Sequence, residues 1–275
     1  FQAEDGIRDP EMSRALGDVY KRQVLYDKDT EGNHKDFAHV LGDFNNWELT
    51  NKEDCQMCRD DAAGCWWITL NNLNPTKEYA FQYYVGTKGG ETIRLADAYC
   101  EKILDPEHDD DIPASAYPDN KTYPKGGKGI VSVFKIQRDN YAWTVSDFKM
   151  QHPKQPVIYE MHLRDFTTGR TINSALQKLD YLKDMGVDAI ELMPVQEFDG
   201  NDSWGYNPCF FFALDKAYGT PKMYKDFIDA CHRKGMAVIL DVVYNHATGN
   251  MPFARLYWDS AKNKTARNNP CLLYT

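Results

Sequence analysis

Side chains able to do chemistry collect in three places, each tied to an apolar run. His162, Arg164 and Asp165 follow the run at 157–161; Glu197, Asp199, Trp204 and Tyr206 follow the run at 189–195. Asn245 and His246 close a third run that begins at Met236, and Asp241 lies inside it. Carboxylates and histidines in such company can move protons, and flat aromatic faces can carry a ring-shaped ligand. Alone, each residue has a plainer reading: a histidine satisfied in a core, a loop tyrosine, or salt links at strand ends for Glu160, Arg164 and Asp165. Asp241 as a lone carboxylate would be costly if buried.

Two other constellations are weaker. Cys55 and Cys58 form C-x-x-C, but no second ligand pair stands at zinc spacing, and a redox dithiol would open a helix after a strand. Seven cysteines, an odd count, make no framework and lean only slightly towards a reducing compartment. The acidic run at 109–111 could hold a cation, yet a solvated charge run is the simpler expectation.

The elements behind the three clusters have a rhythm. VIYEMHL is expected as a buried strand, 174–185 as a helix, VDAIELMP as a strand, 224–234 as a helix and MAVILDVVYNH as a strand. Continuous apolar strands alternating with helices signal a parallel sheet with crossover helices. Leu176, Leu179, Leu182 and Met185 make a core stripe, and Gly186 and Gly235 stand where a helix C′ glycine belongs. A doubly wound sheet and a (β/α)8 barrel share this rhythm. No G-x-G-x-x-G or G-x-x-x-x-G-K-[ST] follows the first strand, and the polar residues crowd the C-terminal strand ends, so the barrel is preferred.

Ahead of it, AHVLGDFNNWE, GCWWITLNNL and KEYAFQYYVG are short β-branched and aromatic runs punctuated by Gly, Asn and Asp. They fit an all-β sandwich, with Tyr79, Phe81, Tyr83 and Val85 on one face and Tyr84 on the other. Gly42, Gly64 and Gly86 sit at run ends, where positive φ is cheap. The Pro- and Asp-rich segment from 94 to 120 argues against regular structure, and two further strands are expected from 129–136 onward, ending near Trp143.

Composition narrows the class. Thirty-two basic against 41 acidic residues give a net charge of −9, which disfavours a nucleic-acid backbone as partner. No apolar run is long enough to span a membrane, and 13% aromatic residues is a surplus that suits sugar rings as well as cores.

The wording of these stretches is familiar. GDFNNW, then Gly64-x-Trp66 with Leu70, then Tyr79 to Gly86 resembles the carbohydrate-binding module of family 48. DVVYNH (241–246), GVDAIELMPV (186–195), IYEMHLRDFT (158–167) and SWGYNP (203–208) resemble glycoside hydrolase family 13, the α-amylase family, in its pullulanase, isoamylase and branching-enzyme branch. The resemblance implies an immunoglobulin-like β-sandwich at 24–105, a connector at 106–156 and, from 157 to 275, the first three βα units of a truncated (β/α)8 TIM barrel. It implies a retaining enzyme acting on α-glucan, with hydrolysis of α-1,4 or α-1,6 bonds ahead of branching by transfer; a non-catalytic starch-binding protein is the rival of another class.

Carried over residue by residue, Tyr206, with Trp204 beside it, would stack on the sugar before the scissile bond. His246 would hydrogen-bond that sugar, and Asp241 would support an arginine of the nucleophile segment. Asn245 matches a calcium-ligating position that the SWGYNP branch often lacks, so calcium stays open and no other cofactor is expected. Trp47 and Trp67 would be glycan platforms of the module, while Trp66 is expected in its core. Glu191, Glu197 and Asp199, the last two in a loop, match no catalytic position of the family. Its nucleophile Asp, acid Glu and supporting Asp follow strands four, five and seven, so none is expected among these 275 residues and the chain alone is expected to be inactive. Three βα units also leave a strand edge and an apolar face open, an aggregation liability.

The first 23 residues and the closing CLLYT resemble translated sequencing-adapter read-through, so native sequence is expected from about Val24 to about Pro270. An ordinary polar arm is the alternative.

Overall fold

A computed structural model of the chain describes residues 20–27, 35–49, 52–87, 90–150, 152–259, 262–267 and 269. Most of the expected leader, 1–19, and the CLLYT segment lie outside the described residues.

The front half is built from two antiparallel sheets. Strands β1 (Lys21–Tyr26), β2 (Lys35–Gly42), β3 (Cys58–Asp60), β4 (Cys65–Leu70), β5 (Tyr79–Thr87), β6 (Thr92–Leu95), β7 (Ile103–Leu104) and β8 (Val131–Phe134) succeed one another, with a one-turn helix α1 (Lys52–Cys55) after β2. One sheet runs β1-β4-β3; the other runs β2-β5-β8-β7, with β6 also on β5. Between them lies one core: Leu25, Trp66, Ile68 and Leu70 from the first sheet meet Ala38, Val40, Tyr79, Phe81, Tyr83 and Val85 from the second. Burial of each large side chain contributes roughly 1.5–3 kcal/mol.

Because β5 is the hub, its other face is covered too. Ala80 packs with Leu104, Val131 and Val133, and Gln82 Nε2 donates to the carbonyls of Lys128 and Ile130 at 2.7 and 2.9 Å.

Some expectations change here. Gly64 does take a positive φ of 64°, whereas Gly42 and Gly86 are required by close approach: a Cβ on Gly86 would stand 2.2 Å from the Phe37 ring, and one on Gly42 2.6 Å from the Ala80 carbonyl. The segment from 94 to 120 is not free of structure, since β7 pairs with β8, and one strand, not two, lies between 129 and 143. Asp109, within the short 3-10 turn Asp109–Asp111, is not solvated but reaches the buried Lys216 ammonium at 3.3 Å.

The second half carries a three-stranded parallel sheet in the order β13-β10-β9 (Ala237–Leu240, Ala189–Leu192, Ile158–Met161). Between β9 and β10 come α2 (Leu163–Phe166), α3 (Ile172–Leu176) and α4 (Leu179–Asp184). Between β10 and β13 come an antiparallel hairpin of β11 (Gln196–Phe198) with β12 (Pro208–Leu214), then α5 (Pro221–Arg233). Thr220 caps α5, accepting from Met223 N at 3.3 Å, and Pro221 opens it where its missing N–H costs nothing. Tyr224, Phe227, Ala230 and Cys231 then face Ile190, Leu192 and Met161 of the sheet.

The expected helix at 174–185 is two helices, broken by an i→i−3 turn in which Lys178 N donates to the Ala175 carbonyl at 2.9 Å. Met185 is 53% exposed rather than core. Three residues advance a helix by about 300°, so a stripe of that spacing slips about 60° per step and has crossed to the far face after three. Gly186 and Gly235 come directly after their helices at φ 83° and 74°, as the C′ position asks.

The strand at 157–163 is not buried throughout: Val157 and Ile158 are exposed, as are Ile239 and Leu240 of β13. Tyr159 and Val238 turn to the helices, so Ile158 and Ile239 are left on the other face, which Glu160 and Glu191 share. The third strand ends at Leu240; Asp241 still donates its N–H to the Leu192 carbonyl at 2.9 Å and then the ladder stops. Beyond it, helix α6 (Pro252–Leu256) turns back, and Met251, Phe253, Leu256 and Tyr257 join the core of the two antiparallel sheets.

Among the described residues no helix is long and apolar enough to cross a membrane, and the six described cysteines are free thiols.

Candidate functional site

Parallel strands point their C-terminal ends the same way, so the segments leaving β9, β10 and β13 meet at one edge of the sheet. The loop after β11 is the most strongly shaped part. Gly205 takes φ +88°, and a Cβ there would meet the Pro194 carbonyl oxygen at 2.5 Å, so only glycine fits. Its N–H donates to Ser203 Oγ at 3.0 Å, and Ser203 Oγ is bonded in turn to Asn207.

This turn delivers Tyr206 to the segment after β13. The Tyr206 hydroxyl donates to Asp241 Oδ2 at 2.5 Å, and His246 Nε2 lies 2.8 Å from the Tyr206 carbonyl oxygen. A carbonyl only accepts, so His246 carries its proton on Nε2. The hydrogen bond to Asp241 pushes the Tyr206 phenol up to about 12, with burial and the charges of Asp241, Glu160 and Glu191 acting the same way. The phenol is therefore neutral at any ordinary pH, with its ring 38% exposed.

Three residues singled out in the sequence, Tyr206, Asp241 and His246, are thus joined by two hydrogen bonds across 35 and 40 positions. Trp204 stands beside them, 61% exposed at the loop tip. Tyr244 is also exposed, with Phe211 edge-on to its ring. Asn245 is exposed, and among the described residues no group of three or more His, Cys, Asp or Glu side chains could hold a metal ion.

Trp47 and Trp67 belong to the antiparallel half. Trp47 is half-buried at φ 63°, packed under Gly126, with Nε1 donating to Asp43 Oδ1 at 3.0 Å. Trp67 is half-buried beneath the Arg22 guanidinium, 5.0 Å from its ring centre. Trp66 is buried, and its Nε1 reaches Asp27 Oδ2 at 3.2 Å.

Arg164 pairs with Asp165 at 2.9 Å and with Asp202, and the guanidinium holds the Asp165 carboxyl far below the usual range. Glu160 is different: it makes no ion pair among the described residues and lies in register beside Glu191 on the neighbouring strand. That places two carboxylates side by side on the sheet.

Glu197 is not in a loop. It is buried on β11 and paired with the buried Lys216, which also holds Asp109. Burial raises the Glu197 carboxyl and, well above its usual value, that of Asp215; the surrounding carboxylates keep Lys216 charged against the pull of burial. The sequence hides this cluster because its members lie 19 and 107 positions from Lys216. Its one local signal is a lysine close after the apolar run of β12.

Residues 165–268 match the alpha amylase catalytic domain. The chain is 41% identical over 131 residues to a malto-oligosyltrehalose trehalohydrolase of Arthrobacter ramosus, covering 48% of the chain and 22% of that protein. It is 33% identical over 199 residues to the enzyme of the same name from Saccharolobus solfataricus, covering 72% and 30%. With the 1,4-alpha-glucan branching enzyme GlgB of Halothermothrix orenii it shares 32% over 224 residues, covering 76% and 31%. The chain therefore spans less than a third of the length of these curated relatives.

Among solved structures, an alpha-amylase-type protein of Salmonella typhimurium superposes with a TM-score of 0.63 at 26% identity, covering 90% of the chain and 37% of its own. A GBS pullulanase, SAP, in complex with maltotetraose, gives 0.62 at 23%, covering 89% and 35%. With a catalytic-domain match over its parallel half, and this architecture repeated over most of its length, the chain belongs to the α-amylase family, glycoside hydrolase family 13.

Proposed function

We propose that these residues are part of a retaining α-glucan-active glycoside hydrolase, cutting α-1,4 or α-1,6 bonds of starch- or glycogen-like chains, and that they supply sugar-holding residues of its site. The observation that carries this reading is the Tyr206–Asp241–His246 assembly at the C-terminal ends of parallel strands. A neutral phenol ring fixed at its hydroxyl by a carboxylate offers a flat, oriented face to a pyranose. His246 is turned towards the same place by the Tyr206 carbonyl, ready to bond the sugar.

Retention needs a nucleophile and an acid about 5–5.5 Å apart across the scissile bond. The family resemblance assigns both to strands after the third, and the parallel strands among the described residues are β9, β10 and β13. The isolated chain is accordingly read as binding without turnover. In this reading 24–105 is an immunoglobulin-like module, 106–156 a connector that adds strand β8 to it, and 157–275 the opening βα units of a barrel. Similarity to proteins named malto-oligosyltrehalose trehalohydrolase favours hydrolysis of malto-oligosaccharide chains. Similarity to a branching enzyme makes transfer the second reading.

Titration calorimetry of the 275-residue chain with maltoheptaose, with reducing-sugar release measured in parallel, tests this. Binding without turnover, weakened about tenfold or more in Tyr206→Ala, is expected, equivalent to roughly 1.4 kcal/mol. Absence of binding, or binding indifferent to Tyr206→Ala, defeats the proposal. Binding lost instead in Trp67→Ala moves the sugar to the module and favours a starch-binding role.

A further inference from the structure

We propose that His162 is a positioning residue, a doubly protonated clamp that fixes the root of the Tyr206 loop to the end of β9. The consequence rests on the sugar-site reading, because the clamp places Tyr206. The His162 side chain is buried, 8% exposed. Its Nδ1 lies 2.9 Å from Asp165 Oδ2 and its Nε2 3.0 Å from the Ser203 carbonyl oxygen. A carboxylate and a carbonyl can only accept, so each ring nitrogen must donate, and an imidazole with two N–H groups is a cation.

The neutral alternative keeps the proton on Nδ1 and aims the Nε2 lone pair at a carbonyl oxygen 3.0 Å away. The Tyr218 hydroxyl lies 3.1 Å from Nε2 and 3.4 Å from the Ser203 oxygen. It has one proton to give, so donating to Nε2 would still leave nitrogen and carbonyl lone pairs opposed.

The groups facing the ring suit a cation. Asp165, on α2, is held ionised by Arg164, and Arg164 is paired with Asp202 of the loop. Arg170 reaches the same Asp202 at 3.8 Å. Tyr218, after β12, is kept neutral, since burial and the charge of Asp215 both push its phenol up.

The clamp holds the first residue of the turn. Ser203 Oγ accepts from Gly205 N at 3.0 Å, and the next residue is Tyr206, bonded through its hydroxyl to Asp241 and through its carbonyl to His246. Removing the Nε2 proton changes attraction into repulsion at the root of this chain of contacts. Ligand affinity then depends on pH through a residue that does not touch the sugar.

The test is ¹⁵N NMR of the histidine-labelled 275-residue chain, with no sugar present. The His162 ring is assigned by its loss in His162→Gln or, should that variant not fold, by its shift in Asp165→Asn. Both ring nitrogens are expected in the protonated range at pH 7. Raising the pH should move the Gly205 and Tyr206 amides along the same curve as the ring, and Asp165→Asn should shrink the doubly protonated population at fixed pH. An unprotonated Nε2 at pH 7, or loop amides that ignore the ring, overturns the proposal. Adding maltoheptaose to the same samples separates the two readings: a doubly protonated ring coupled to its loop in a chain that binds no sugar upholds the clamp and removes the sugar site.

Discussion

Replacing Lys216 by Met removes a cation from a place where it has no substitute. The ammonium is 2% exposed and is held by Glu197 and Asp109, with Asp215 close enough to act on it. Methionine keeps most of the stem's volume, so the loss is of charge rather than packing. Removing one partner of a buried ion pair costs about 3–5 kcal/mol, because the other is left without compensation. For a chain of this size about 2–4 °C of Tm accompanies each kcal/mol, so a fall of roughly 6–20 °C is expected in thermal unfolding monitored by circular dichroism.

The pH dependence has a defined sign. The Glu197 and Asp215 carboxyls are raised in the folded state, so their contribution is present at low pH and lost as pH rises through the folded values. Without Lys216 that loss is larger, and the gap between wild type and variant must widen from acid towards neutral pH. Lys216→Met/Glu197→Gln should recover part of the deficit. A shift under about 2 °C at pH 7, which corresponds to about 1 kcal/mol or less, would show that the buried ammonium does not hold these carboxylates. So would a gap that narrows as pH rises.

Other expectations concern the site and the helices. Tyr206→Phe deletes the phenol pushed up to about 12, so the wild-type minus variant ultraviolet difference should show a tyrosine still neutral near pH 11, and Asp241→Asn should lower its titration. Gly205→Ala forces a Cβ against the Pro194 carbonyl at a positive φ, and a loss of about 1–3 kcal/mol in urea unfolding, with weakened maltoheptaose binding, is expected. Leu182→Ala, at a fully buried position, should cost about 2–5 kcal/mol, while Met185→Ala should stay within about 0.5 kcal/mol. Equal effects at the two positions would contradict the helical phase that buries one and exposes the other.

The parallel half was legible because its signals are local: apolar runs of strand length and glycines at helix ends, although the reading began α5 at 224 and passed over the capping Thr220 and Pro221 that start it. The approach of Tyr206, Asp241 and His246 was also legible, since parallel strands put the residues after them on one side whatever the loops do. The features that escaped the sequence are non-local. Gly86 is a glycine because of Phe37 on another strand, and nothing near it in the chain says so. Glu197 reads as a loop carboxylate until Lys216 and Asp109 are brought to it. Met185 was misplaced for a geometric reason, a repeat of three set against a helix of about 3.6 residues per turn.

Phe253 and Leu256 lie in the same core as Leu25, more than 220 residues earlier in the chain. A ribosome makes β1 long before it makes α6, so the first strand waits through most of synthesis with part of its apolar cover unmade. The closure entropy grows only slowly with such a separation, but the contact cannot form until its later member exists. The antiparallel half is therefore neither an independent first product nor a late one. Its early sheets leave a vacant berth for α6, and a chaperone or a protease would meet that exposed patch until α6 emerges and closes it.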